Sequence, residues 1–138
     1  MIGITTAMRN SRLQLILDAI DLAGDEYGAG ILFIYSGIRP ATGMSPDEYD
    51  AILVEFMLPY PCGVINNGVL TFGEVLDVLA TASGTATWGR LTDINENFIA
   101  DLSVTSLLGN GDVKIDSTTI VEGGTVHCNS AIITEGNA

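Results

Sequence analysis

Leu13, Ile16, Leu17 and Ile20 fall at i, i+3, i+4 and i+7, and shortly after them comes an uninterrupted apolar run, Ile31-Leu32-Phe33-Ile34-Tyr35. The first pattern is that of an amphipathic helix, with Gln14, Asp18, Asp21 and Asp25 on its other side. The second, apolar at every position, is a strand that needs cover on both faces, and the helix is the nearest element to supply one of them. Burying four aliphatic side chains stabilises by roughly 6–12 kcal/mol before entropy is subtracted, enough to dock a helix that is marginal alone. The expected nucleus is therefore a helix over residues 5–24, capped by Thr5 or Thr6 and closed by Gly24 in the left-handed conformation, packed on the strand that follows.

Downstream the chain reads as strands and turns. Residues 36–43 have loop composition, and Ser45-Pro46-Asp47-Glu48 has the signs of a helix start but room for no more than a short turn. Residues 52–58 are β-branched and aromatic and stop at Pro59-Tyr60-Pro61, as a second strand would. Asn67-Gly68 between two apolar runs is a tight-hairpin signal, because both residues tolerate positive φ. Residues 74–79 fit a strand or a helical turn, and a strand is expected. Residues 85–91 and 98–104 read as an antiparallel hairpin around a polar turn, with Trp88 as the largest core contributor. Gly109-Asn110-Gly111 and Glu122-Gly123-Gly124 each precede a further short strand. The fold expected is mainly β with one N-terminal helix (α+β), an antiparallel β-sandwich or jelly-roll-like barrel. At 138 residues it forms a single domain, 1–138, with the helix at about 5–24 and the β-rich body at about 30–135.

Composition narrows the function classes. The chain carries 17 acidic and 5 basic residues for a net charge of −12, a field that repels phosphate backbones, so no nucleic-acid partner is expected. With 47% hydrophobic and 16% charged residues it is too apolar for disorder. No apolar run reaches the ~18 residues of a membrane helix, so no membrane partner is expected either. The first residues lack a basic segment ahead of an apolar one, and synthesis in a cytoplasm is expected. So few charges among so many apolar residues suggest that part of the surface is covered by other subunits.

The motifs that might carry chemistry fail one by one. Gly28-Ala29-Gly30 lacks the third glycine or lysine of a phosphate loop and precedes a strand. Asp93-x-Asn95-x-Asn97 opens like a calcium loop, but Phe98 stands where glycine must turn the chain and Val104 where a bidentate glutamate must close it. His127 is the only histidine and its neighbour Cys128 alternates to the opposite face of a strand. Cys62 and Cys128 lack the C-x-x-C spacing of a zinc or redox site and are expected to be reduced core residues. No catalytic, cofactor-binding or metal residues are therefore assigned, and no cofactor is expected. The scarce cations Arg9, Arg12, Arg39, Arg90 and Lys114 must each find an acid within the fold or on a partner. Arg9, Arg12 and above all Arg39, in a Gly- and Pro-rich loop, are the candidate interface residues.

Three stretches carry a resemblance. Ile4-Thr5-Thr6-Ala7-Met8-Arg9-Asn10 with Ile16-Leu17-Asp18-Ala19-Ile20-Asp21, then Ile34-Tyr35-Ser36-Gly37-Ile38-Arg39-Pro40-Ala41, and Gly84-Thr85-Ala86-Thr87-Trp88-Gly89-Arg90 resemble a family of small proteins encoded among the structural genes of tailed bacteriophages. The similarity runs nearly end to end, with a more apolar stretch of its own at 49–72. The resemblance implies a non-enzymatic virion protein made in the host cytoplasm, a capsid decoration or cement protein whose partners are the major capsid protein and copies of itself. A tail or neck component is the alternative, and a small hydrolase or glycan-binding module with dispersed carboxylates is the alternative from another class.

Overall fold

The computed structural model describes residues 3–135. Helix α1 (Thr6–Asp21) is followed by strands β1 (Ile31–Tyr35), β2 (Ile52–Met57), β3 (Gly63–Asn66), β4 (Val69–Phe72), β5 (Val78–Leu79), β6 (Gly84–Thr85), β7 (Trp88–Thr92), β8 (Phe98–Ser106), β9 (Val113–Ile115), β10 (Thr119–Ile120), β11 (Thr125–Val126) and β12 (Cys128–Thr134). Eight of the strands form one sheet in the order β2-β1-β7-β8-β9-β12-β4-β3, and β10-β6 and β11-β5 form two-stranded ribbons beside it. The protein is thus mainly β with one helix, its large sheet curled into a half-barrel. Among the described residues no helix is long and apolar enough to cross a membrane.

Thr5 caps the helix, its hydroxyl accepting from the Met8 amide at 3.2 Å. The helix packs against β3, β4 and β8. Its buried stripe is narrower than the periodicity suggests: Leu13 and Ile20 are fully buried, Ile16 and Leu17 half-buried, while Leu15 and Leu22 face outward. Asp21, expected on the polar face, instead turns under the helix end, where its carboxylate accepts the Cys62 amide at 3.1 Å. The helix also stops at Asp21, short of Gly24. Gly24 does not take positive φ. It is glycine because a Cβ there would stand 2.7 Å from the Tyr60 ring and 3.0 Å from the Gly28 carbonyl.

β1 explains its own sequence. It pairs antiparallel with β2 on one side and β7 on the other, so its backbone is satisfied from both edges and its side chains must be apolar on both faces. Leu32 and Ile34 join the main core with Leu13 and Ile20. Phe33 points the other way, with Tyr35 and Trp88, so the helix covers the opposite face of the sheet. Trp88 is the largest fully buried side chain, as expected of it, but it belongs to this second cluster. It stacks on Tyr35 with centroids 4.4 Å apart and donates its indole N–H to the Ser36 carbonyl at 3.2 Å.

The hairpin signals hold. Asn67 and Gly68, at φ 50 and φ 75, make the turn between β3 and β4. β7 and β8 pair antiparallel around the turn at 93–97. Residues 45–50 form only a turn, closed by the Asp50 amide on the Asp47 carbonyl at 2.9 Å. The expected strand at 74–79 shrinks to β5, and the residues before it form no strand.

One pair departs from the antiparallel pattern. β8 and β9 are parallel, Val104 beside Val113 and Ser106 beside Ile115. Parallel neighbours usually need about a dozen intervening residues; here residues 107–112 suffice, because β9 pairs only with the last three residues of β8, Val104 to Ser106. Thr105 and Ser103 hold this loop. The Thr105 hydroxyl accepts the Gly111 amide at 3.0 Å, and the Asp112 carboxylate accepts the amide and hydroxyl of Ser103 at 3.1 and 3.0 Å. A Cβ on Gly109 would lie 2.5 Å from Thr105, so glycine is what permits the approach. Leu108 at the tip is 99% exposed.

Candidate functional site

The three candidate interface arginines end in two different settings. Arg9 donates through Nε to the Glu135 carbonyl at 3.2 Å and lies against Gly68, where any Cβ would meet its guanidinium. Arg12 pairs with the Glu135 carboxylate at 3.0 Å. Together with the Gly68 amide on the Asn10 side chain at 2.8 Å and the Glu135 amide on the Gly68 carbonyl at 2.9 Å, they tie helix, hairpin and the end of β12 to one another. Arg39 is exposed in the loop after β1.

Arg90 is bound most fully. Its Nε and Nη2 donate to the Asp101 carboxylate at 2.7 and 3.1 Å, and Nη2 also donates to the Met44 carbonyl at 2.8 Å. The guanidinium lies 5.4 Å from the Trp88 ring centroid and 5.0 Å from that of Phe98. The cross-strand register makes this arrangement: Phe33, Arg90 and Asp101 stand side by side on β1, β7 and β8, with Tyr35, Trp88 and Ser103 as the next row. The Asp101 side chain is 0% exposed, and it reaches the Gly43 amide at 3.4 Å, so the pair fastens the loop between β1 and β2 over this face.

Asp93 serves its turn. Its carboxylate accepts the amides of Asn95 and Asn97, both at 2.9 Å, and the Asn97 side-chain amide at 2.8 Å. The Asn97 side chain, and after it the backbone amides, hold this carboxyl below the ordinary range. Among the described residues no group of three or more histidine, cysteine or acidic side chains is placed to hold a metal. Cys62 and Cys128 are both free and buried. Burial raises both thiols, to about 12 for Cys62 and about 11 for Cys128, far from a reactive thiolate.

His127, which sequence reading left without a partner, has one. Its Nδ1 lies 2.5 Å from Oδ1 of Asp77, fifty residues away, with both side chains about half exposed. The hydrogen bond to Asp77 raises the imidazole above its ordinary value, with the Asp77, Asp116 and Glu74 charges adding to it. Ribbon β5-β11 creates the contact, because Val126 pairs with Val78 and each strand leads directly to one partner of the bond.

The Asp77 segment has a second side. Val75 is buried, Leu76 is 75% exposed, and the chain from 74 to 78 forms one wall of a groove of about 330 Å³. Tyr27, Met57, Leu58, Pro59, Leu76 and Val78 supply its apolar lining, and Glu74 and Asp77 are the charged groups on it. Its opposite wall continues the β1–β2 ladder: the Ala29 amide donates to the Leu58 carbonyl at 2.9 Å and the Leu58 amide to the Gly30 carbonyl at 3.0 Å. Gly28 admits the Met57 side chain, since a Cβ there would sit 2.7 Å from its Cγ. Sequence reading missed this groove because its walls come from three distant segments. The one local signal was Val75-Leu76-Asp77, whose apolar pair faces opposite ways. Comparisons of the chain with protein-family models, with curated proteins and with solved structures find no match.

Proposed function

We propose that this protein is a non-enzymatic structural component of a tailed-phage particle, a decoration or cement protein that binds the major capsid protein and copies of itself. The family resemblance of the helix, the loop after β1 and the β6–β7 segment suggests the particle. The observation that carries an assembly role is the outward display of large apolar side chains around a closed core. Leu108, Ile38, Tyr49, Tyr27 and Leu22 are each 80% exposed or more. Scattered apolar residues are normal on a surface, but a series of almost fully exposed Leu, Ile and Tyr is costly to leave in water and useful at a contact.

The chemistry of these side chains favours a structural role over turnover. The one histidine–carboxylate pair stands beside Cys128, whose buried thiol is raised to about 11, so the neighbouring sulfur supplies no nucleophile at neutral pH. His127→Ala therefore removes no reacting group.

Quantitative mass spectrometry of purified particles tests the reading. A copy number in the hundreds places the protein on the shell, and tens or fewer place it in the neck or tail. Absence from the particle, or glycan hydrolysis that His127→Ala abolishes without unfolding the chain, overturns it.

A further inference from the structure

We propose that the groove between Tyr27, Met57 and Leu76 is the docking site for a segment of a partner protein that carries a large apolar side chain flanked by lysines or arginines. The inference deepens the assembly reading and rests on it for the existence of a protein partner.

Shape sets the size of the occupant. Pockets for small molecules run from about 300 to 1,000 Å³, so a trough of about 330 Å³ fits one or two side chains of a longer segment. The floor is apolar and fixed: Leu58 is fully buried and hydrogen-bonded through its backbone on both sides, and Val78 is held in ribbon β5-β11. The exposed rim, Tyr27, Met57 and Leu76, offers an aromatic ring, a thioether and a branched aliphatic chain. Aromatic residues and methionine are enriched at the anchoring points of protein contacts. Little has to be ordered on binding. Val75 is buried and Asp77 is held by His127, so the wall that carries Leu76 is fastened at both of its neighbours.

Charge sets the flanks. Glu74 and Asp77 line the groove, Asp25 and Glu26 lie exposed immediately before Tyr27, and no lysine or arginine lines it. A second copy would bring the same carboxylates into opposition and add to the repulsion between two chains of net charge −12. A segment with basic residues either side of its apolar anchor meets both the lining and the rim.

The test titrates the full chain with three acetylated hexapeptides: Lys-Lys-Trp-Leu-Lys-Lys, the same core with glutamates as flanks, and the lysine-flanked peptide with Gly-Ser as core. Backbone amide NMR shifts and fluorescence anisotropy report binding. Expected is saturable binding of the first peptide, with shifts centred on Tyr27, Met57, Leu58 and residues 74–78. Both control peptides bind at least about tenfold more weakly, and so does the first peptide to Leu76→Lys or Tyr27→Ser. Both positions are exposed, so unchanged circular dichroism is expected of each variant. Added salt weakens the first peptide's binding. No saturation into the millimolar range overturns the proposal, as does equal binding of the glutamate-flanked peptide or undiminished binding to both variants. Self-association in sedimentation that Leu76→Lys abolishes overturns it in favour of a second copy. A failed titration with the protein present in particles removes the groove alone; absence from particles removes the assembly reading alone.

Discussion

Arg90→Met is the substitution whose cost the geometry defines best. It keeps an unbranched apolar stem on β7 between Phe33 and Asp101 but removes two donors to Asp101 and one to the Met44 carbonyl. The Asp101 side chain, 0% exposed, would be left with only the 3.4 Å contact from the Gly43 amide. Stranding a buried charge in this way costs about 3–5 kcal/mol, and losing the guanidinium from the Trp88 and Phe98 rings adds about 1 kcal/mol. The sum, about 4–6 kcal/mol, approaches the whole stability of a domain near the lower end of the usual ~5–15 kcal/mol. Urea unfolding, followed by far-UV circular dichroism and by the fluorescence of the single tryptophan, Trp88, measures it. Asp101→Leu alone should be comparably costly, while the double variant Arg90→Met/Asp101→Leu should lose far less than the sum, because no charge is then left without a partner. The reasoning fails if Arg90→Met costs less than about 1 kcal/mol, the range of a solvent-screened surface pair, or if the two substitutions simply add.

Three further outcomes are expected. Leu13→Ala, at a fully buried position where α1 meets the core, should destabilise by about 3–5 kcal/mol in the same assay; a loss below about 1 kcal/mol would mean that the helix is not docked as described. His127 is raised on folding, so its bond to Asp77 contributes fully below the ordinary histidine value of 6.5 and is lost as pH rises through the higher folded value. Unfolding midpoints across that window should therefore fall with pH for the native chain and lose that component in His127→Gln, and identical slopes would contradict the pairing. Cys62 and Cys128, buried and raised to about 12 and 11, should react with a thiol reagent at neutral pH only as fast as the chain opens, so immediate labelling of the folded protein would refute their placement.

Where local conformational preference decides structure, the amino-acid sequence was sufficient. Thr5 caps a helix because its hydroxyl reaches the first-turn amides, and Asn67-Gly68 turns a hairpin because both residues accept positive φ; each decision involves neighbours a few residues apart. Ile31 to Tyr35 had to be covered on both faces for the same kind of reason, since period-two alternation needs no knowledge of what covers them. The outcome at Gly24 shows the limit even over short distances: a helix-ending glycine suggested positive φ, but what excludes a side chain there is the Tyr60 ring, brought in by the turn after β2.

Tertiary structure alone decided which face each element covers and which distant groups meet. Alternation places Phe33 opposite Leu32 and Ile34, yet only the sheet order, with β7 and then β8 beside β1, sets Phe33, Arg90 and Asp101 in one row and puts the helix on the other side. His127 meets Asp77 because β11 pairs with β5, and the groove exists because residues near 27, 57 and 76 converge where the β1–β2 ladder passes the segment entering β5. A side chain's partner across such separations is a property of strand order and register, and these are settled by the combined burial of the whole core, to which each local sequence contributes only its own alternation.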